Sequence, residues 1–388
     1  MPASPLFGRR IHIAGSIAKD MQVATAAEVQ RAHALISELI KELVRRGANF
    51  VIPVDADPHR EADGLPLCFD WLVWTAIKDN LAHRPTGVLG HLAVAVQHYK
   101  SEFQIPENYT ALWDELRDSP LVKIENAAQW DMNSKRMEAQ AKYGDILITI
   151  GGTEGVLYLA NLYHDAGKPV VPLNLEVCAE NAGSRKLYAF GLTSANSQRL
   201  FRIADNGDSH GWVNKIQFPA RQSDTDRVKV LLELLEALER PTAFAVRLLN
   251  DKISDFPLVE EYFETVVKPV IEGEMGYRLI TIDRKHKHEH AWVDQEIFTR
   301  LHRSSVVVAD LTGERPNCFL ELGYALAKVQ TTMVLAKKGT NLPFDIATFS
   351  GLLWDSTATI HAKRDEFRDH WNSVRHRPPL VPAEQLIA

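Results

Sequence analysis

Short apolar runs alternate with segments of helical periodicity along most of the chain, and this pattern predicts parallel α/β sheets. The runs Arg10–Ile13 and Asn49–Pro53 flank a stretch whose apolar residues recur every three or four positions. The same pattern resumes at Asp145–Ile150, continues through a helical segment and reaches another run at Pro169–Leu173. Because a strand, a helix and a second strand in succession form a parallel crossover unit, the first part of the chain is predicted to be a parallel sheet.

A second series of strand and helix patterns follows the dipeptide Arg240-Pro241. Its predicted strands are Ala243–Leu248, Arg278–Ile282, the run Val306–Ala309 that ends at Asp310, and Thr332–Ala336, each separated from the next by a helical pattern. A chain of 388 residues is long enough for two domains. We therefore predict an α/β protein with two Rossmann-like or flavodoxin-like parallel-sheet domains, at residues 1–240 and 241–388.

Residues 56–135 interrupt the alternation and are predicted to form a mostly helical insertion in the first domain. Helical patterns occur at Asp70–Leu81 and Tyr109–Arg117, and a minimal crossover does not need about eighty residues. The segment is rich in tryptophan, at Trp71, Trp74, Trp113 and Trp130. Large aromatic residues within helices usually belong to the core, so we expect these side chains to be buried rather than ligand-binding.

Composition narrows the classes of function. A net charge of −6 argues against broad nucleic-acid binding, which needs a basic surface. Cys68, Cys178 and Cys318 are odd in number and widely spaced, which favours a reducing compartment without disulfides. The sequence contains neither a signal peptide nor a run of roughly 18 apolar residues. We therefore expect a cytoplasmic protein that does not enter a membrane.

Two glycine-containing turns follow predicted strands of the first domain and precede helices. Glycine allows a close approach of the backbone to a ligand, and the start of a helix offers free N–H groups and a positive dipole end. Two such turns in one sheet indicate a cradle for a phosphorylated ligand, although ordinary tight turns have the same composition. The candidate ligand-binding residues are Gly15, Ser16, Gly151, Gly152, Thr153 and Gly155.

A polar turn in Ser304–Lys328 carries the candidate catalytic residues of the second domain. Asp310 ends a β-branched run, Asn317 lies in the turn, and Glu321 is expected to open the following helix. Two carboxylates at the end of one strand can divide nucleophilic and acid/base work. The alternatives are a helix-start charge for Glu321 and a turn residue for Asn317.

Two further residues are candidates for ligand binding in the second domain. Arg247 ends the first strand of this domain, where its guanidinium is available for a phosphate, and Asp345 is placed at the rim. His286, His288 and His290 look like a metal tract, but no acidic or cysteine ligands lie at useful spacing. A solvated loop is therefore the preferred interpretation, and no metal is expected.

The motif in the second domain resembles the nucleoside 2-deoxyribosyltransferase-like group, a relative of the TIR-domain glycosidases, over residues 242–355. The matching elements are Ala309-Asp310-Leu311-Thr312, Pro316-Asn317, Phe319, Glu321-Leu322-Gly323-Tyr324-Ala325, Ala327 and Pro343-Phe344-Asp345. The resemblance implies cleavage of an N-glycosidic bond with Glu321 as the nucleophile. It further implies that Asp310 orients a ribose hydroxyl or assists proton transfer, and that Asn317 contacts the sugar.

The first domain is similar to the Smf/DprA–LOG (SLOG) superfamily over about residues 8–215. The similarity rests on Met132–Gly155, in which Arg136 falls on the family's arginine and the glycines fall near its Gly-rich turn. Tyr158 stands where the LOG enzymes have a catalytic glutamate. The resemblance therefore implies a domain that binds a nucleotide signal, with Arg136 as a phosphate ligand, without hydrolysing it. A surface ion pair is the alternative role of Arg136.

Together the two resemblances imply a bacterial antiphage effector that acts as a homo-oligomer. A nucleotide second messenger bound by the first domain would activate cleavage of NAD+ or a related nucleotide by the second, with NAD+ as substrate and no other cofactor. Two alternatives stay open. One is a metabolic nucleoside or nucleotide deoxyribosyltransferase, which needs no activator, and the other is a non-enzymatic nucleotide sensor.

Overall fold

The structure is a computed structural model. The residues that it describes are 4–88, 90–98, 100–128, 133–193, 201–203, 209–218, 222–282, 293–328, 331–347, 349, 351–375 and 377. The chain divides into two compact units at Glu239–Arg240. The histidine tract His286–His290, together with Trp130 and Met132, lies outside the described residues.

The first unit is built on a six-stranded sheet. All strand pairs are parallel, and the order across the sheet is β4-β3-β2-β1-β5-β6. Each of β1, β2, β3, β5 and β6 is mostly or completely buried, as a parallel sheet covered by helices on both faces requires. The strands are β1 (Arg10–Ser16), β2 (Asn49–Pro53), β3 (Ala93–His98), β4 (Val122–Ala128), β5 (Ile146–Gly151) and β6 (Val170–Leu173).

Nine described helices accompany this sheet, with a 3₁₀ turn at Leu81–His83. The longest, α1, begins at a capping box in which Thr25 and Glu28 bond to each other's backbone, and it buries a continuous apolar face. The helices are α1 (Ala26–Arg45), α2 (Asp70–Asn80), α3 (Ser101–Gln104), α4 (Glu107–Arg117), α5 (Asn133–Tyr143), α6 (Glu154–Asp165), α7 (Gly183–Thr193), α8 (Ser209–Lys215) and α9 (Asp224–Ala237).

The segment 56–135 does not lie outside the sheet as a helical insertion. It contains the expected helices α2 and α4, but it also supplies the strands β3 and β4, which complete one side of the sheet. Strand β3 is only six residues long and ends in the polar residues Gln97 and His98, and β4 is an edge strand with polar residues, so neither stands out from the sequence. Trp71, Trp74 and Trp113 are buried in the core, as expected from the sequence.

The second unit contains a five-stranded parallel sheet with the order β11-β10-β9-β7-β8. The strands are β7 (Thr242–Val246), β8 (Arg278–Ile280), β9 (Val306–Asp310), β10 (Thr331–Lys337) and β11 (Leu352–Trp354). The described helices are α10 (Phe256–Tyr262), which continues as π-helical turns at Phe263–Val267 and Pro269–Glu274, and α11 (Val293–Arg303), α12 (Pro316–Ala327), α13 (Phe344–Ala347) and α14 (Ile360–Val374). The prediction of two parallel α/β sheets is thus confirmed.

The helix that carries Glu321 begins earlier than the sequence suggested. Helix α12 starts at Pro316, with Arg315 as its N-cap, so Glu321 lies in the second turn and not at the helix start. Proline fits the first helical position because its ring fixes a helical φ and the missing N–H is not needed there.

No helix in the described ranges is long and apolar enough to span a bilayer.

Candidate functional site

The first sheet has a topological switch point between β1 and β5. The chain adds β2, β3 and β4 on one side of β1 and then returns to place β5 on the other side. Gly15 pairs with Ile150 and Ser16 with Gly151 at the carboxyl ends of these two strands. Ligands of open parallel sheets bind in the crevice at such a switch point. The two glycine turns predicted from the sequence therefore meet in one crevice.

Glycine is structurally required at both turns. A Cβ on Gly15, which has a φ of 153°, would lie 1.7 Å from the carbonyl oxygen of Ile150. Gly152 has a φ of 78°, and a Cβ there would lie 2.3 Å from Val156 Cγ2. The backbone N–H of Gly152 donates to the carbonyl oxygen of Ser16 at 2.7 Å, which joins the two turns. The two turns consequently present backbone rather than side chains at the ends of β1 and β5.

The start of α6 faces this crevice with unused hydrogen-bond donors. Thr153 is the N-cap, is exposed and makes no capping hydrogen bond with its side chain. The N–H groups of Glu154 and Gly155 have no partner within the described part of the chain. Free N–H groups at the positive end of a 12-residue helix favour an anion. The position suits the phosphate that the sequence predicted.

Arg136 lies on α5 and forms an ion pair with Asp55, which follows strand β2. Its Nη2 also donates to Asn133 at 3.0 Å, and the side chain is largely buried. An ion pair was the alternative to phosphate binding for Arg136 in the sequence analysis. The pair is present, but the arginine side chain is largely buried and not on the surface. A guanidinium has five N–H donors, so the pair leaves donors available for a ligand.

Three carboxylates gather beside this arginine, and the sequence analysis missed them. Asp55 and Asp57 follow β2, and Asp70 lies in the first turn of α2. All three act electrostatically on the thiol of Cys68, and Cys68 forms an isolated antiparallel bridge with Ser16. The acidic cluster is therefore next to the strand end that forms the crevice. Its sequence signal was the Asp-x-Asp that directly follows a buried strand.

Burial shifts the protonation equilibria of this cluster. The pKa of Asp70 is raised to about 7 by burial, with Arg136 opposing the shift and the charges of Asp55 and Asp57 adding to it. Burial also raises the pKa of Asp57, while His59 acts in the opposite direction. The pKa of Cys68 rises to about 12 for the same reasons, so its thiol stays protonated and is a poor nucleophile.

The second sheet has its own switch point, between β7 and β9. Arg247 follows β7 and Asp310 ends β9, so the structure brings these two predicted residues to the same edge. Both are buried: Arg247 pairs with Glu260, and its guanidinium lies 5.1 Å from the centre of the Phe263 ring. The side chain of Arg247 is thus engaged in contacts within the domain.

Asp310 is fully buried and both of its oxygens accept hydrogen bonds. Its Oδ1 accepts from the N–H of Thr312 at 2.9 Å and its Oδ2 from the indole N–H of Trp354 at 2.7 Å. Burial raises the pKa of Asp310, and these hydrogen bonds and the charge of Arg247 oppose the shift. Trp354 in turn stacks on Tyr262 with 4.4 Å between ring centroids. Asp310 therefore holds the end of β9 to the following loop and to β11 through its hydrogen bonds.

Glu321 differs from Asp310 because it has no hydrogen bond or ion pair within the described residues. It is half-buried, and burial raises its pKa to about 7. The charges of Glu321 and Asp310 both raise the pKa of the Cys318 thiol, one turn earlier on α12. Cys318 therefore lies near both carboxylates. Glu321 is thus a carboxyl group that can exist in either protonation state near neutral pH and is not occupied by a structural contact.

The remaining candidates of the second domain lie on the surface. Asn317 is exposed in the first turn of α12, and Asp345 is exposed on the short helix α13. Neither is buried with Glu321.

Tyr158, at the position of the LOG glutamate, is exposed on α6. Within the described residues, no group of three or more His, Cys, Asp or Glu side chains is arranged to hold a metal ion.

The fold and the first crevice define a doubly wound α/β protein with a site of the nucleotide-binding type. A family model described as "ATP nucleosidase Cap17-like, N-terminal" matches residues 6–235, which is more than half of the chain. The chain belongs to this Cap17-like family. The matched range ends before β7, so the resemblance of the second domain to deoxyribosyltransferases stays a prediction.

The similarity of the chain to curated proteins and to solved structures is weak or absent. No curated protein matches the chain significantly. A crystal structure of a protein designated TM1055, from a structural genomics consortium, is similar at 14% identity, covering 47% of this chain and 81% of that protein. The TM-score of that similarity is 0.29, which is too low to inform the fold or the function of this chain.

Proposed function

We propose that the chain is a nucleosidase that cleaves the N-glycosidic bond of a nucleotide. The description of its family names an ATP nucleosidase, which makes ATP the first substrate to test and NAD+ the second. Positive charge develops on the sugar ring in the transition state of such cleavage. A carboxylate beside the anomeric carbon stabilises that charge or forms a covalent bond to that carbon. The role of the protein would be depletion of a nucleotide pool in an antiphage response.

Glu321 carries this proposal as the catalytic carboxylate. Glu321 is half-buried on α12 and makes no hydrogen bond or ion pair with another described residue. Burial raises its pKa to about 7, and such perturbed groups are often functional. Asp310 acts as a positioning residue, because its hydrogen bonds to Thr312 and Trp354 hold the end of β9 from which α12 follows. Asn317 and Asp345 would have supporting roles at the rim, and Arg247 would support the site from within the domain.

The first domain acts as the nucleotide-binding part in this proposal. Its switch-point crevice combines the glycine turns, the free start of α6 and Arg136, which together suit a phosphorylated ligand. Tyr158 in place of a glutamate is consistent with binding without hydrolysis at that position. A ligand that favours an active assembly of the chain would shift the population toward that assembly, which couples the two domains.

The test is a product assay on the full chain. We would incubate the purified protein with ATP, NAD+ or deoxynucleosides and identify released bases by mass spectrometry. Glu321→Gln should lower the rate of base release by at least about a thousandfold, since removing a nucleophile commonly costs several orders of magnitude. Glu261→Gln, which changes an exposed glutamate of α10, is the matched control and should keep wild-type activity. A folded Glu321→Gln protein with full activity would exclude this assignment.

The same assay separates the transferase alternative. A deoxyribosyltransferase would exchange bases between deoxynucleosides and would not require a ribonucleotide. Base exchange without net hydrolysis of ATP or NAD+ would favour that alternative. The absence of any product with every substrate, combined with tight nucleotide binding, would instead favour a non-enzymatic sensor.

A further inference from the structure

A carboxylate with one oxygen that accepts no hydrogen bond from the described residues lies buried beside the crevice of the first domain. The side chain of Asp57 is only 2% exposed. Its Oδ2 has no hydrogen-bond partner in the described ranges, and the nearest ionisable nitrogen, Nε2 of His59, is 3.7 Å away. A buried acceptor without a donor is costly, and native proteins rarely keep one without a use. A donor from a ligand would satisfy this oxygen, since the described residues supply none.

The surroundings of Asp57 determine which ligand group could supply that donor. Asp55 and Asp70 act on the same region, so the cluster repels phosphate and attracts hydrogen-bond donors. The aromatic side chains of Trp71 and Tyr109 stack at 4.7 Å alongside, and Trp71 donates to the backbone oxygen of Asp55 at 3.0 Å. Adjacent hydroxyl groups of a sugar are donors of suitable size and are uncharged.

Ser16 connects the acidic cluster to the proposed phosphate position. Cys68, which senses all three carboxylates, bridges to Ser16. The carbonyl oxygen of Ser16 in turn accepts the hydrogen bond from Gly152, immediately before α6. In dinucleotide-binding sheets the phosphate lies at the helix after the first strand, a place taken here by the start of α6 after β5, and an acidic residue after the second strand binds the ribose hydroxyls. Asp55 and Asp57 occupy that place after β2.

We propose that Asp57, supported by Asp55, binds the 2′,3′-diol of a ribonucleotide whose phosphate lies at the start of α6. The first domain then selects ribonucleotides over deoxyribonucleotides. Arg136 holds Asp55 in place and directs its remaining N–H donors toward the ligand. This inference rests on the proposed nucleotide site of the first domain, but it does not depend on Glu321 being catalytic.

The test measures binding on the full chain that carries Glu321→Gln, so that turnover does not consume the ligand. Isothermal titration calorimetry with ATP, 2′-deoxyATP, 3′-deoxyATP and inorganic phosphate gives the affinity for each probe. A lost hydrogen bond to a charged acceptor should weaken 2′-deoxyATP or 3′-deoxyATP by about 10- to 100-fold relative to ATP. Base release is followed in the same samples, which shows separately whether Glu321 is the only source of hydrolysis.

Asp57→Asn should abolish most of this discrimination. The ratio of ATP to deoxyATP affinity is the readout, because removing a negative charge also favours any anionic ligand. Asp165→Asn, an exposed aspartate at the end of α6, is the control and should keep the wild-type ratio. If Asp57→Asn does not fold, Asp55→Asn, which changes the supporting carboxylate of the proposed diol site, replaces it and should likewise lower the ratio. Equal affinity for ATP and both deoxy analogues, or no binding of any of them, would overturn the proposal.

Discussion

At the scale of single residues, burial decides which carboxyl groups are suited to chemistry. Asp310 is buried, and both of its oxygens accept hydrogen bonds within the domain. Glu321 is buried enough to raise its pKa to about 7, but it makes no described hydrogen bond. Asp70 shows a similar shift inside an acidic cluster. Residues of one chemical type therefore acquire different roles from their contacts.

The pH dependence of catalysis should report Glu321. A carboxylate nucleophile must be ionised, so kcat/KM for base release should rise about tenfold per pH unit below pH 7 and level off above it. The measurement is a pH–rate profile between pH 5 and 9, with thermal denaturation as a control for folding. A profile that falls above pH 7 would assign Glu321 the role of general acid instead.

The raised pKa of Asp70 predicts a pH-dependent cost to stability. The folded state holds the proton more tightly than the unfolded state, so the contribution of Asp70 to stability is lost as pH rises from about 4 through 7. Asp70→Asn removes the ionisation next to Asp55 and Asp57 and should raise Tm by about 2–4 °C at pH 8.5, but little at pH 4. Melting curves at both pH values test this, with exposed Asp165→Asn as control. An equal effect at both values would contradict it.

At the scale of elements, the close contact of β1 and β5 builds the crevice of the first domain. Their ends approach so closely that only glycine fits at residue 15, and the turn before α6 then leaves helix N–H groups free. In the second domain the corresponding edge is filled by Arg247, Asp310 and Trp354, all of them buried. The same topology thus gives an open backbone cradle in one domain and a packed polar cluster in the other.

Gly15→Ala should damage the crevice more than an ordinary glycine substitution. Its Cβ would lie 1.7 Å from the oxygen of Ile150, so β1 and β5 would have to separate. We expect a loss of about 1–3 kcal/mol in the free energy of unfolding and loss of nucleotide binding. The control is Gly64→Ala, where φ is also positive but no atom lies within 4 Å of the new Cβ. Equal effects of the two changes in urea unfolding would show that the contact with Ile150 is unimportant.

At the scale of the whole molecule, the chain joins two parallel α/β units that have different kinds of site. The first offers a backbone cradle and an acidic cluster, and the second offers Glu321 on α12. If the first binds a ligand preferentially in an active assembly, the ligand raises activity by its differential affinity for that assembly. The two units would then function as sensor and enzyme.

This coupling predicts that damage to the first site acts on activation and not on the chemistry. Arg136→Ala combined with Gly152→Asp removes a cation and places a charged side chain in the crevice. The concentration of nucleotide needed for half-maximal activity should rise at least about tenfold, while the maximal rate recovers at saturation. Activity and size-exclusion elution would be measured along one titration. Full activity of the wild type without ligand, and an identical double mutant, would refute coupling.

The sequence by itself determined the local elements and the fold class. Apolar runs, helical periodicity and glycine turns are set by neighbours in the chain, so β2, β9 and the position of Gly15 and Gly151 at the ends of strands were predicted correctly. The strands β3 and β4 were missed because a short buried strand and a polar edge strand lack a distinctive period. The start of α12 was misplaced because Pro316 was taken as a turn residue rather than as a first helical residue.

Only the tertiary structure decided which polar residues meet. Asp55, Asp57 and Asp70 come from two separate segments and assemble with Arg136 through the packing of α2 and α5 against the sheet. The indole of Trp354 reaches Asp310 from another strand, 44 residues later, and so fixes a carboxylate that the sequence placed in catalysis. Burial and long-range hydrogen bonds depend on the whole fold, and no local pattern of residues encodes them.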